Sequence, residues 1–107
     1  MKFGIFYEIS VPRPWGPTTE YDVYQNCLEQ ARLADELGFD QVWAVEHHFL
    51  EEYSHCSAPE IFLTAVAMQT KNIRIGRGIV VCVPQMNNPI KAAEVAATMD
   101  LISGGRL

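Results

Sequence analysis

Residues 41–49, Gln41-Val42-Trp43-Ala44-Val45-Glu46-His47-His48-Phe49, decide how the rest of this chain is read. The first five form a short apolar run rich in β-branched and aromatic side chains, the mark of a buried strand. The run stops in a carboxylate and two adjacent imidazoles. In parallel α/β folds, ligands and chemistry collect at the C-terminal ends of the strands. Histidine has the unperturbed pKa nearest neutrality, so an imidazole at that end is poised to give and take protons. Glu46, His47 and His48 are therefore the first candidates for a functional site, weighed against the plainer reading of a polar loop that follows a strand.

Outward from this segment the chain repeats one unit, strand then helix. The predicted strands are Lys2–Tyr7, Gln41–Val45 and Ile73–Val83. A proline-rich link from Val11 to Pro17 excludes helix after the first. Thr19 with Asp22 three residues on has the spacing of a capping box. Tyr21, Tyr24, Leu28, Ala31, Ala34 and Leu37 then keep helical spacing as one buried face, up to Gly38 as a left-handed C′ residue. Ser57-Ala58-Pro59-Glu60 offers an N-cap, a first-turn proline and a capping-box glutamate to a second helix. That helix runs through Ile61, Phe62, Ala65, Val66 and Met68 and is expected to end near Lys71-Asn72. Gly76 and Gly78 inside the third strand mark a bulge or a close approach of a ligand to the backbone. Asn88-Pro89 opens a third helix, Ser103-Gly104-Gly105 closes it, and Arg106-Leu107 is expected to begin a fourth strand.

Three such units imply a parallel sheet covered by helices, with successive strands side by side because the crossovers are right-handed. A closed eight-stranded barrel takes about 250 residues. The 107 residues therefore read as its first part, a partial α/β domain spanning 1–107.

Composition narrows the partners. Eight basic residues against thirteen acidic ones, with no basic run, argue against nucleic acid. With 49% hydrophobic and 20% charged residues the chain has the balance of a globular domain, and no apolar stretch reaches the roughly 20 residues of a membrane span. The start, Met1-Lys2-Phe3-Gly4-Ile5-Phe6, enters a strand pattern directly and lacks signal-peptide features, so the cytosol is the expected compartment. Three scattered cysteines without a C-x-x-C are no disulfide framework. Cys27 and Cys82 are expected as small core residues, and Cys56 beside His55 is a nucleophile only if the two side chains point together. A metal site from Glu46, His47, His48, His55 and Cys56 competes with the proton-transfer reading, but the spacing matches no common zinc pattern.

Three segments together resemble one family. They are Lys2-Phe3-Gly4-Ile5-Phe6, the run Gly38-Phe39-Asp40-Gln41-Val42-Trp43-Ala44-Val45-Glu46-His47-His48-Phe49, and the tail from Asn88-Pro89 to Ser103-Gly104-Gly105-Arg106-Leu107. The chain is similar over its whole length to the N-terminal portion of bacterial luciferase-like, flavin-dependent monooxygenases. The resemblance implies the first three βα units of a TIM (β/α)8 barrel. It implies reduced FMN, supplied by a separate flavin reductase, which activates O2 so that a small organic substrate is oxygenated. Three strands cut from a barrel would expose two unpaired edges and apolar faces, so a homo-oligomer is the expected assembly.

The same resemblance distributes roles. His47 matches a histidine treated as catalytic in the family, and an imidazole beside the reacting edge of the flavin suits proton transfer. Phe6 matches a first-strand aromatic on the pocket floor. Glu46 and the Gly78-Ile79-Val80 backbone are expected on the cofactor side, and His48 and Phe49 on the substrate side. A non-proline cis peptide is expected within Arg77–Val83, although this segment is one residue longer than the common pattern before Pro84. The family's phosphate site lies in later strands. Two alternatives share the fold, the deazaflavin F420 in place of FMN, or a non-catalytic flavin-binding relative or self-assembling fragment.

Overall fold

In the computed structural model, which describes residues 1–107, three parallel strands lie side by side in sequence order. They are β1 (Gly4–Tyr7), β2 (Gln41–Ala44) and β3 (Arg74–Arg77), alternating with helices α1 (Thr19–Glu36), α2 (Pro59–Gln69) and α3 (Pro89–Ser103). No antiparallel hairpin joins any two strands, and the register runs Gly4↔Gln41↔Arg74 to Tyr7↔Ala44↔Arg77.

Alternation along the strands sorts the side chains. Ile5, Val42 and Ile75 lie in one cross-strand row and face the helices, where Val42 and Ile75 are buried. There they meet Ala31 and Ala34 from α1 and Phe62, Leu63, Val66 and Ala67 from α2. Complete burial of a side chain such as Leu63 or Val66 contributes about 1.5–3 kcal/mol, so this layer holds the sheet. The row Phe6, Trp43, Gly76 points the other way, where Phe6 and Trp43 stay exposed and Trp43 and Gly76 line a groove with Ala92 and Ala96 of α3. Gly76 is required there, because a Cβ would lie 2.5 Å from the Trp43 ring.

Several expected boundaries move. The third strand ends at Arg77 instead of Val83. Gly78 N–H still donates to Ala44 O at 2.7 Å, but β2 stops at Ala44, so the residues that follow have no ladder partner. Thr18, not Thr19, occupies the N-cap of α1 without a side-chain cap bond, while Thr19 Oγ1 accepts from Gly16 N–H at 2.7 Å. Ala58 takes the N-cap of α2, so Ser57 and Glu60 form no capping box. On α1 the buried stripe is Cys27, Ala31 and Ala34, and Tyr21 and Leu37 are exposed at its ends. Cys82 is exposed, since the strand that would have buried it has already ended. The α3 caps are as expected: Asn88 Oδ1 accepts from Ile90 N–H at 2.9 Å, and Gly104 closes the helix with φ +70°.

Two polar clasps tie helix to sheet. Asp35, near the end of α1, accepts the backbone N–H groups of Lys71, Asn72 and Ile73 at 2.7, 2.9 and 2.7 Å. Arg106 does not enter a strand; its guanidinium donates to the carbonyls of Ser103, Ile73 and Ala67 and to Thr70 Oγ1. Its own carbonyl accepts from Ile75 N–H at 2.9 Å, one bond of the kind a neighbouring strand would make on the edge of β3.

Candidate active site

The C-terminal ends of the three strands open into three loops, and these loops bring the candidate residues together. Residues 8–11 after β1 run beside residues 52–55 after β2: His55 N–H donates to Ile9 O and Val11 N–H to Glu52 O, both at 2.9 Å. Ser10 Oγ donates to Tyr53 O at 2.6 Å, and Ser54 Oγ to Glu8 O at 2.5 Å. His47 is anchored in the same frame through its N–H, which donates to Cys56 O at 2.9 Å.

Adjacent residues on an extended segment point to opposite sides, and the two histidines do so. His48 turns toward the β3 side, where its Nε2 lies 3.0 Å from Glu46 Oε1. A carboxylate only accepts, so Nε2 carries the hydrogen. His47 turns toward the β1 side, with Nε2 3.5 Å from Glu8 Oε2 and its ring 5.7 Å from that of Tyr53.

Glu46 is the most enclosed acid here, 6% exposed. Its Oε2 accepts from Val81 N–H at 2.8 Å, and Asn87 Nδ2 reaches both carboxylate oxygens at 2.9 and 3.2 Å as well as Val81 O at 3.0 Å. Burial pushes its pKa up, but the Val81 amide, His48 and Asn87 outweigh burial, and the net shift is downward. The group is therefore ionised at neutral pH, and it ties the stretch after β3 to the end of β2. This clasp takes over where the sheet ladder stops.

Phe6 and Gly78 meet across the sheet, since a Cβ on Gly78 would lie 2.9 Å from Phe6 Cε2 and 3.3 Å from Ala44 O. Phe6 stays 54% exposed on the face away from the core, and Ile79 is exposed as well. Val80 and Cys82 line a groove with Trp43, Ile75, Gly76 and Arg77. Phe49 stands clear of the group, 103% exposed with φ 58°. The peptides of Arg77–Val83 are trans, and the one cis bond is Arg13–Pro14.

Of the five residues weighed as metal ligands, only Glu46 and His48 meet, and no three converge on one point. His47, His48 and His55 each face a different carboxylate, Glu8, Glu46 and Glu20. Cys56 is buried and its thiol is pushed up to about 12, first by desolvation and then by neighbouring acids and Cys27, so it is no thiolate nucleophile at neutral pH. Sequence reasoning missed Glu8, Tyr53, Val81 and Asn87, which reach the site from other loops and carry no local pattern.

A family profile described as luciferase-like monooxygenase matches residues 1–107. The chain belongs to that family. It is 33% identical over 107 residues to the oxygenase component of flavin-dependent trigonelline monooxygenase from Acinetobacter baylyi, which covers all of this chain and 28% of that protein. It is 30% identical over 106 residues to the alkanal monooxygenase alpha chain of Photorhabdus laumondii, covering 99% of this chain and 28% of the relative. The crystal structure of the monooxygenase RslO1 from Streptomyces bottropensis superposes with a TM-score of 0.83 at 38% identity, over 100% of this chain and 31% of that one. This member of the luciferase-like family thus spans under a third of the length of the relatives it matches. Its parallel three-stranded sheet with alternating helices is the fold of the matching part of the RslO1 structure.

Proposed function

We propose that this chain forms the first three βα units, a partial domain, of a TIM-barrel monooxygenase that uses reduced FMN and O2 to oxygenate a small organic substrate. The carrying observation is the pair of adjacent imidazoles at the end of β2, each facing its own carboxylate, beside an exposed floor of aromatic rings and glycine backbone. At Gly76 and Gly78 the place of a side chain is taken by the Trp43 and Phe6 rings, which lie against the glycine backbone. A flat, apolar platform of this kind suits a planar ring system, so Phe6, Gly78, Ile79 and Val80 are the residues that would hold the isoalloxazine. Bound flavin supplies the electrons that activate O2.

This chain's own side chains do the rest. His47 holds and moves a proton at the strand ends, and His48, with Phe49 beyond it, shapes the substrate side. Glu46 has its lone pairs committed to Val81, Asn87 and His48, so it serves the cofactor side by fixing the backbone after β3. Arg13 pairs with Glu51 at 3.0 Å, and Arg77 is buried facing Glu60 at 3.7 Å with its Nε unpartnered. A phosphate would therefore be held by later strands of the whole protein. A relative named as an oxygenase component argues for a separate reductase as electron donor. Three cysteines without a disulfide suit a reducing cytosol.

The test is His47→Ala in the whole oxygenase with reductase-supplied FMN. Turnover is expected to fall on the order of 10²–10⁴-fold, with the melting temperature unchanged. Unchanged turnover would remove His47 from the mechanism, and tighter binding of F420 than of FMN would reassign the cofactor.

A further inference from the structure

One buried polar atom near the site has no partner. Glu8 Oε2 is withdrawn from solvent and accepts no hydrogen bond, although a carboxylate oxygen out of water demands a donor. Its position is built in, because the Glu8 carbonyl is held by Ser54 Oγ and the next residue's carbonyl by His55 N–H. The ring nearest to it is His47, with Nε2 at 3.5 Å. The Tyr53 ring packs on His47, and the negative charge of Glu8 nearby raises the pKa of the Tyr53 phenol.

The neighbouring pair makes the contrast. His48 is locked at 3.0 Å to a carboxylate that also binds Val81 and Asn87, so its proton is structural. His47 faces an oxygen with no other claim on it, across a gap that a small side-chain rotation closes, as catalytic hydrogen bonds often do when substrate arrives.

We propose that Glu8 is the positioning residue of His47: its Oε2 accepts the Nε2–H, fixes that tautomer, and leaves Nδ1 as the atom where the ring takes up a proton and returns it, with the Tyr53 phenol the second donor to the same carboxylate. The charge on Glu8 balances the imidazolium while Nδ1 is occupied, and the proton leaves from the atom it entered, so the cycle closes without a net change in either residue. This rests on the reading of His47 as the proton-transfer group.

The test combines an activity-free readout with kinetics on the intact protein. Nitrogen-15 NMR of the cofactor-free protein should find His47 as the Nε2–H tautomer when neutral. Glu8→Gln offers a donor as readily as an acceptor, and should spread His47 over both tautomers. With reductase-supplied flavin, Glu8→Gln should lower kcat on the order of tenfold or more with KM unchanged. Glu8→Gln combined with His47→Gln should be no slower than His47→Gln alone, since Glu8 acts only through that ring. An unchanged tautomer in Glu8→Gln, or fully additive losses in the double variant, overturns the proposal and leaves His47's own role standing. Full turnover in His47→Gln overturns both.

Discussion

His55 sits between two groups that only accept: Glu20 Oε1 lies 2.7 Å from Nδ1 and Glu51 O lies 2.7 Å from Nε2. Both ring nitrogens must then carry hydrogen, so the pair of contacts selects the imidazolium. Its pKa is raised above the ordinary 6.5 first by the Glu51 carbonyl and then by Glu20, against a smaller opposing effect of burial. A folded-state pKa raised above the unfolded one means this stabilisation is complete below about 6.5 and is lost as pH rises through the folded value. The urea midpoint is expected to fall as pH rises above about 6.5, and His55→Gln should flatten that slope; equal slopes in the two proteins would count against it. Glu46 has the opposite sign, with a pKa below the ordinary 4.5, so its contribution is present above that value and is lost as pH falls through the lower folded one. In Glu46→Gln one terminal atom becomes an NH2 group facing Asn87 Nδ2, two donors with no acceptor between them. The expected cost is about 1–3 kcal/mol, together with faster hydrogen exchange at the Val81 amide; unaltered exchange there would mean that Glu46 does not hold the segment. The sequence made Glu46, His47 and His48 legible because they are contiguous at a strand end. Glu8, Tyr53 and Asn87 were illegible because three-dimensional closure, not spacing, brings them in.

At the scale of the element, helices were easier to place than to cap. Pro59 and Pro89 mark the starts of α2 and α3 through a fixed φ and a missing N–H that the first turn does not need. The side-chain caps expected at Thr19 and Ser57 do not form, since Thr19 is drawn back to Gly16 N–H and α2 begins one residue after Ala58. The strands show a different gap. An apolar run from Ile73 to Val83 reads as one strand, yet only Arg74–Arg77 pairs, because a parallel ladder lasts no longer than its neighbour and β2 ends at Ala44. Hydrophobicity reports burial and cannot report where a partner stops. Within β3, Gly76 is expected to mark a bulge or the close approach of a ligand, but the group that lies against it is the Trp43 ring of the chain itself. Gly76→Ala would set a methyl 2.5 Å from that ring, where nothing can yield but the indole itself. We expect a loss of about 1–3 kcal/mol in unfolding free energy, with a change in Trp43 fluorescence; stability equal to the parent would show that the indole swings away without cost.

For the molecule as a whole, the central question is what covers its uncovered surfaces. β1 and β3 each pair on one side only, and the edge of β3 is engaged just by the Arg106 carbonyl and the Arg74–Leu107 contact. Phe3, Phe6 and Trp43 are exposed on or beside the sheet, and Ile61, Met68 and Ile102 line an open groove between α2 and α3. Open parallel edges recruit other strands, and contiguous apolar patches beyond a few hundred Å² are rarely tolerated in a monomer. In the proposed barrel, further strands would cover the sheet edges, and the helix groove would still be open to a second copy. The isolated 107-residue polypeptide has neither, so it is expected to self-associate at micromolar concentration. It should also bind FMN weakly, because the platform around Phe6 and Gly78 can hold a ring, while Arg13 is paired with Glu51 and the Arg77 side chain is buried against Glu60, so neither offers an exposed phosphate anchor. Sedimentation velocity together with a flavin fluorescence titration reads both halves. Species heavier than one chain with little quenching of FMN are expected. A stable monomer of 12.0 kDa that binds FMN tightly would mean that these three units already close their own surface and build their own cofactor site.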